Sequence, residues 1–288
     1  MNREHIVAQI VLRNWPFERG IGRVITKVFK DPIFKEGIAK VSTTDGIDLT
    51  VYTNDLIGRH IYLTGAYERS TVEVLCNFAQ DGDVLLDIGA NIGYISASFL
   101  KNVPHSRVVA VDPQTGIQDL LCANLSQFAP NRYSIHAVAL SDHDGTDMFA
   151  TTAGNTGDSF LTVDAPGAYP VDVRSAGQFL DRVGRVDLVK VDVEGHEETI
   201  LESAKEYLKT NQPRIVVFEE KAAKGAPEGN IGKLFNEIGY KIFGLQKKLF
   251  KNILYPIRSV ADCVSRDYVA VSAHHPIPDK AKVAYSLY

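Results

Sequence analysis

Cysteine is scarce in this chain. Cys76, Cys122 and Cys263 are the three among 288 residues, they lie far apart, and no two form a C-x-x-C pair. That spacing excludes a disulfide framework and a zinc ribbon, and it fits a reducing compartment. Long apolar runs are missing too: the N-terminal stretch Ile6–Leu12 falls well short of the roughly 18 residues a membrane span needs, and its flanks carry no signal-peptide cleavage pattern. A soluble, cytoplasmic protein is therefore expected. There is no basic excess either, since 31 Lys and Arg stand against 35 Asp and Glu for a net charge of −4. That balance argues against nucleic acid as a partner. No internal repeat or low-complexity tract interrupts the chain. Its 45% hydrophobic and 23% charged content is that of a globular protein with room for one large domain and a modest extension.

What the sequence does contain is Val84-Leu85-Leu86-Asp87-Ile88-Gly89-Ala90-Asn91-Ile92-Gly93-Tyr94-Ile95. It reads as an apolar strand, a glycine turn and the start of a helix, the place where an α/β protein holds a nucleotide-like cofactor. Gly89 and Gly93 let the backbone approach a ligand, and Asp87 brings a carboxylate to the end of the strand. A dinucleotide fingerprint wants G-x-G-x-x-G here, but Asn91 stands at the second glycine position and Tyr94 at the third. The turn is closer to the acid-x-Gly-x-Gly-x-Gly turn of S-adenosylmethionine-dependent methyltransferases, which it resembles.

Around this segment the chain alternates strand and helix patterns. Strands are expected at Val84–Ile88, Val108–Asp112, Ser134–Leu140, Val186–Val193, Ile215–Glu219, Tyr240–Gly244 and Tyr268–Ser272. Helices are expected near Glu68–Ala79, Gly93–Asn102, Gly116–Phe128, His196–Lys209 and Ile231–Ile238. Apolar strands separated by helices imply an α/β doubly wound, mostly parallel sheet, here of seven strands. The last two strands have no helix pattern between them and read as an antiparallel pair. Upstream, Asp45-Gly46 between β-favouring runs marks a hairpin. Residues 1–40 carry a net charge of +4, leaving −8 for the rest. Ile21, Val24, Ile25 and Val28 fall on one helical stripe among those basic residues. The arm reads first as a helix packed on the main domain or on a second copy, giving a homodimer. Peripheral membrane contact through its basic amphipathic face is the second reading. The division expected is residues 1–53 as helical arm and hairpin and 54–288 as the main domain.

Ligands of an open parallel sheet bind at the carboxyl ends of its strands. The second strand ends at Asp112, 25 residues after Asp87, near the spacing at which an acid holds ribose hydroxyls. The third runs into Leu140, Ser141 and Asp142, which would meet the adenine, Leu140 on the ring and the polar pair at its edge. The fourth carries Lys190-Val191-Asp192-Val193-Glu194-Gly195-His196-Glu197. Strand alternation puts Lys190, Asp192 and Glu194 on one face, and such charges are costly to bury unless paired. Lys190 is expected to pair with carboxylates such as Glu219. His196-Glu197 opens like H-E-x-x-H but lacks the second histidine, so a zincin site is set aside. Asp192, Glu194 and His196 lack a further metal ligand nearby, and no metal is expected. His274 and His275 read as solvated.

Together, Asp87–Gly93, the Ala139–Asp142 run with Gly145, Lys190–Glu197 and the upstream Gly65-Ala66-Tyr67-Glu68 resemble the FkbM-type methyltransferases over roughly residues 54–220. The one departure is Asp112, where that family often has Glu. The resemblance implies a Rossmann-like methyltransferase fold, S-adenosylmethionine as cofactor, and O-methylation of a hydroxyl on a sugar, glycolipid or natural product, a small-molecule or glycan acceptor. It implies cofactor contacts from Glu68, Asp87, Gly89, Ala90, Asn91, Gly93, Asp112, Leu140, Ser141 and Asp142. Asp192 is the first candidate for general base, with His196 and Glu194 after it, and Glu68 would meet the methionine end or help close the site. Thr151–Ala168, rich in Gly, Thr and Asp, then reads as a substrate lid rather than a linker. An N-methyltransferase, a nicotinamide-dependent oxidoreductase and a non-catalytic cofactor-binding protein are the alternatives. The first usually shows Asn/Asp-Pro-Pro-aromatic where this chain has Asp192-Val193-Glu194-Gly195.

Overall fold

The computed structural model describes residues 9–13, 25, 37–220, 223–247 and 251–285. Residues 9–13 are helical, and a two-stranded hairpin of β1 (Ile38–Ser42) and β2 (Asp48–Tyr52) comes after them, its turn at Asp45-Gly46, with Gly46 at a φ of 76°. Helices α1 (Leu56–Thr64) and α2 (Arg69–Phe78) lead into β3 (Val84–Ile88) and α3 (Tyr94–Asn102). Next come β4 (Arg107–Val111), α4 (Gln118–Leu125), β5 (Tyr133–His136), β6 (Ala139–Ser141), β7 (Gly145–Thr152), β8 (Asn155–Thr162) and β9 (Tyr169–Ser175). The chain continues through α5 (Ala176–Val183), β10 (Leu188–Val191), α6 (Glu197–Ser203), α7 (Lys205–Asn211), β11 (Ile215–Glu219) and α8 (Asn230–Glu237). It ends with β12 (Tyr240–Lys247), β13 (Asn252–Pro256), β14 (Asp267–Ser272) and α9 (Asp279–Tyr285).

The main sheet has the order β13-β12-β14-β11-β10-β3-β4-β5. Strands β11, β10, β3, β4 and β5 are parallel, and β14, β12 and β13 continue antiparallel. Eight strands replace the expected seven. The extra one, Asn252-Ile253-Leu254-Tyr255-Pro256, is a short edge strand ending in proline, where a missing amide costs no ladder bond. The antiparallel pairing of the last two expected strands is present as β12 against β14.

Both faces of the sheet are buried, as parallel sheets require. Alternation divides β3 between them: Leu85 faces one core with α2, α3 and α4, while Val84, Leu86 and Ile88 face the other with α5 to α8. Val41, Ile47, Leu49 and Val51 of the hairpin join the first core, as do Leu12 and Ile25. Of the expected helical stripe, Ile25 is a buried helical residue, while Ile21, Val24 and Val28 lie outside the described residues.

Three expectations change. The single strand expected over Ser134–Leu140 is two, β5 in the main sheet and β6 in a second, four-stranded sheet of order β6-β9-β7-β8. The stretch Thr151–Ala168 is no open loop: Thr, Phe and Leu pair β8 with β7 across a turn at Ala153-Gly154, and Gly and Asp only looked like loop composition. The helix expected over His196–Lys209 breaks at Ala204 into α6 and α7, with His196 just outside its start.

Candidate active site

Strands β3 and β10 are neighbours, yet the chain leaves β3 toward β4 on one side and returns to β10 on the other. This is the topological switch point, and it opens a crevice beyond the carboxyl ends of the strands. A cleft holding about 980 Å³ of space, open solvent included, lies there. Its floor is the glycine turn. Gly89 sits at a φ of 78°, and a Cβ there would fall 1.9 Å from the Asp192 carbonyl oxygen, so only glycine fits. The amides of Gly89 and Ala90 donate to the Val111 carbonyl at 2.9 and 3.1 Å. Gly93, also left-handed, serves packing instead: a Cβ would come 2.8 Å from the Leu121 side chain.

On the β4 side, Asp112 accepts from the amides of Asn91 (2.8 Å) and Gln114 (2.9 Å), and burial lifts its carboxyl to about 6. The β7–β8 hairpin roofs the cavity with Phe149, Thr156, Ser159 and Phe160. It is fastened there, since Gln114 Nε2 donates to the Thr156 carbonyl at 2.7 Å and the Thr156 amide donates to Asp55 Oδ2 at 2.7 Å.

On the β10 side, Glu68, Asp192, Glu194, His196 and Glu219 line the same space. Glu68 takes a φ of 43° ahead of α2, and Glu194 a φ of 49°, both uncommon for non-glycine residues and both at the cavity wall. Burial, then the nearby Asp192 charge, raises the Glu68 carboxyl to about 8. Glu197 Oε1 accepts the amides of Val193 and Gly195, both at 3.2 Å, and so fixes the loop that carries Glu194 and His196.

The expected residues therefore sort in three ways. Glu68, Gly89, Ala90, Asn91, Asp112, Leu140, Asp192, Glu194 and His196 form the wall. Asp87 and Gly93 lie behind it: Asp87 is fully buried, accepting from Ser96 Oγ at 2.6 Å. Ser141 and Asp142 are also outside the wall; Ser141 Oγ lies 2.9 Å from His196 Nε2 and 3.1 Å from Asp142 Oδ1. The expected partner of Lys190 is corrected: its neighbour on β11 is Val217, and its ammonium lies 3.4 Å from Asp87 and 3.6 Å from Asp192 rather than on Glu219. Sequence reading missed Gln114, and it gave no individual role to Tyr67, quoted only within Gly65–Glu68, or to Thr156 and Phe160, which fall within the expected lid Thr151–Ala168. Tyr67 and Gln114 sit within two residues of acids that were singled out, while Thr156 and Phe160 reach the site only through the second sheet. Among the described residues no three His, Cys, Asp or Glu side chains are grouped as metal ligands, and no described helix is long and apolar enough to cross a membrane.

The family model for the methyltransferase FkbM domain matches residues 87–242, from the glycine-turn strand to β12. The chain belongs to the FkbM methyltransferase family. This FkbM methyltransferase is thus an enzyme whose methyl donor is S-adenosylmethionine. It is also 36% identical over 83 residues to the AMB antimetabolite synthetase AmbE of Pseudomonas aeruginosa, a match covering 27% of this chain and 4% of that protein. Among solved structures it resembles the precorrin-6y C5,15-methyltransferase of Geobacter metallireducens (16% identity, TM-score 0.42, 72% of this chain and 88% of that one). It also resembles the TYW2 protein of M. jannaschii in complex with AdoMet (13% identity, TM-score 0.42, 82% and 84%). Likenesses at that level bear on neither substrate nor chemistry.

The donor set fits this cofactor. The cavity's lining combines apolar Ile92, Val111 and Leu140 with a ribose-compatible acid, Asp112, and with the carboxylates of Glu68, Asp192, Glu194 and Glu219, which suit a ligand that is a cation at sulfur and at nitrogen.

Proposed function

We propose that this FkbM methyltransferase is an O-methyltransferase acting on a hydroxyl of a sugar, glycolipid or natural product. The observation that carries the reading is a single cavity whose lining combines Asp112 and Leu140 with Asp192, Glu194 and His196. S-adenosylmethionine supplies an electrophilic methyl group to an in-line displacement when bound. In this reading Asp112 accepts the ribose hydroxyls, Leu140 packs on the adenine, and the Gly89–Asn91 turn lets the backbone approach the donor. Glu68 faces the methionine end.

Asp192, His196 and Glu194 are the groups proposed to hold the acceptor hydroxyl and take its proton. Asp192 is kept in place by Lys190 at 3.6 Å, so it is suited to orient the hydroxyl in a near-attack geometry. His196 is held neutral by burial, which lowers its pKa, and can accept a proton. Oxygen is favoured over nitrogen as the acceptor because Asp192-Val193-Glu194-Gly195 stands where amino-methylating enzymes carry Asn/Asp-Pro-Pro-aromatic. With Asp192, Glu194 and Glu219 in the lining, the acceptor end disfavours anionic molecules. We assign residues 54–288 to the catalytic unit, and propose residues 1–53 as the part that meets a second copy or an anionic membrane surface.

Calorimetry with S-adenosylmethionine, its demethylated product and NADH tests the donor half. Binding of the first two without NADH is expected, and the reverse pattern would sink the assignment. A labelled-methyl assay on cell extract, with mass spectrometry of the product, identifies the acceptor; a methylated amine in place of an ether would overturn O-methylation.

A further inference from the structure

Ser141 and Asp142 leave the cavity wall and meet His196 from outside it. The chain makes this contact across 55 residues, because β6 sits beside the start of α6. Ser141 Oγ has one hydrogen, and its neighbour Asp142 Oδ1, 3.1 Å away, is a carboxylate oxygen that can only accept. The serine hydroxyl therefore donates to Asp142, and its oxygen is left to accept from His196 Nε2 at 2.9 Å. Asp142 stays charged, its pKa lowered chiefly by hydrogen bonds from His143 and Ser141. The direction of the chain of hydrogen bonds is thus fixed from its exposed end.

Building on the proposed O-methylation, we infer that Asp142 and Ser141 are positioning residues that hold neutral His196 as its Nε2–H tautomer, so that Nδ1 is the atom that takes the acceptor's proton. With the donor bound, the acceptor oxygen would bond to the methyl carbon as the methyl–sulfur bond breaks and leaves its electron pair on sulfur as S-adenosylhomocysteine, while the acceptor's O–H bond breaks and an Nδ1–H bond forms. The resulting imidazolium is stabilised by the carboxylates of Asp142 and Asp147 and later returns its proton to solvent. The logic is that of an acid orienting an imidazole, here with a serine hydroxyl interposed. It gives Ser141 and Asp142 a different role from contact with the adenine edge.

Other titratable groups lie about the ring: Asp142, His143 and Asp147 from the β6–β7 side, and Asp192, Glu194 and Glu197 on its own segment, Asp192 and Glu194 lining the same cavity. The tautomer is therefore the cleaner readout, and it needs no acceptor. Long-range proton–nitrogen spectra of the full chain, labelled with nitrogen-15, resolve it, with His196 assigned by its loss in His196→Gln. The wild type is expected to show the Nε2–H form with an unprotonated Nδ1. Ser141→Ala should mix the two tautomers, and Ser141→Thr, which keeps the hydroxyl, should restore one. Asp142→Asn removes a charge that raises the His196 pKa, so the ring should titrate at lower pH. Binding of S-adenosylhomocysteine should be unchanged in all three.

An Nδ1–H ring in the wild type, or a tautomer indifferent to Ser141→Ala, would overturn the inference. So would loss of S-adenosylhomocysteine affinity in Ser141→Ala with the tautomer intact, which would return Ser141 to the adenine. If the wild type binds neither S-adenosylmethionine nor its product while the ring is the Nε2–H form, the proposed function fails and only the local geometry stands.

Discussion

Lys190 and Asp87 are register partners on adjacent parallel strands, and they form a buried ion pair directly behind the glycine turn. The same ammonium donates to the Gly89 carbonyl at 2.7 Å. Burial alone would lower the Lys190 pKa, but the charges of Asp87, Asp192 and Glu68 outweigh it and the net shift is upward, so the lysine stays protonated. Asp87 thus meets the turn through Lys190, which it holds against the Gly89 carbonyl. Lys190→Met leaves Asp87 buried and uncompensated, and breaking such a pair costs about 3–5 kcal/mol. Urea denaturation should show a loss of that order, with most of it recovered in Lys190→Met/Asp87→Leu. A loss below about 1 kcal/mol in the single variant would show that the pair does not brace the turn.

Asp112 should govern donor affinity. Hydrogen bonds to a charged group contribute about 1.5–3 kcal/mol, a factor of roughly 10 to 100 in affinity. Asp112→Asn keeps the shape and the acceptor oxygen beside Asn91 but removes the charge, so calorimetry should find S-adenosylmethionine binding weaker by about tenfold or more. Unchanged affinity would place the ribose elsewhere.

Much of this was legible in the sequence, for identifiable reasons. The strand β3, the turn and Asp112 are local patterns, where glycine spacing and one acid carry the information. The Lys190–Glu197 motif announced a charged cluster, but its pairing depends on register: opposite Lys190 stand Asp87 on β3 and Val217 on β11, and no local pattern sets that. The Ser141–His196 contact was hidden for the same reason. The second sheet was hidden differently, because turn-forming and strand-forming residues mix in its hairpin: Ala153-Gly154 turn the chain, while Thr151 pairs with Ser159 and Ala150 with Phe160. Edge strand β13 gave too short a signal, and its terminal proline argued against a strand.

Glu68 should make the fold less stable as pH rises. Its folded carboxyl titrates near 8, above the ordinary 4.5, so between those values the folded state keeps a proton that the unfolded chain has released. Stability is then full below about 4.5, falls through the window to about 8, and is flat above it as far as this group is concerned. Asp112, lifted to about 6, acts in the same direction over a lower window. Denaturation at pH 5 and pH 8 should show Glu68→Gln losing less stability than the wild type over that interval, by on the order of 1–2 kcal/mol in a cavity open to water. An equal loss in the two proteins would mean that Glu68 is ionised throughout. The cationic donor favours the charged carboxylate, so its affinity for the wild type should also rise from about pH 6 to about pH 9, and that rise should shrink in Glu68→Gln.

Asp192 and His196 can be told apart once an acceptor is in hand. Both line the cavity, and neither is expected to contribute much to donor affinity, so Asp192→Asn and His196→Gln should bind S-adenosylmethionine nearly as the wild type does. Both should lose turnover, because one orients the hydroxyl and the other accepts its proton, a step typically worth about 10²–10⁴-fold. Their pH profiles should differ. Burial lowers the His196 pKa from 6.5, so kcat of the wild type should climb to a plateau through a limb below that value, where the ring loses its proton. Asp192→Asn leaves the imidazole in place and should keep the limb at reduced height. His196→Gln has no group to titrate there and should flatten it. If the limb survives in His196→Gln and vanishes in Asp192→Asn, the carboxylate is the base and the imidazole only frames it.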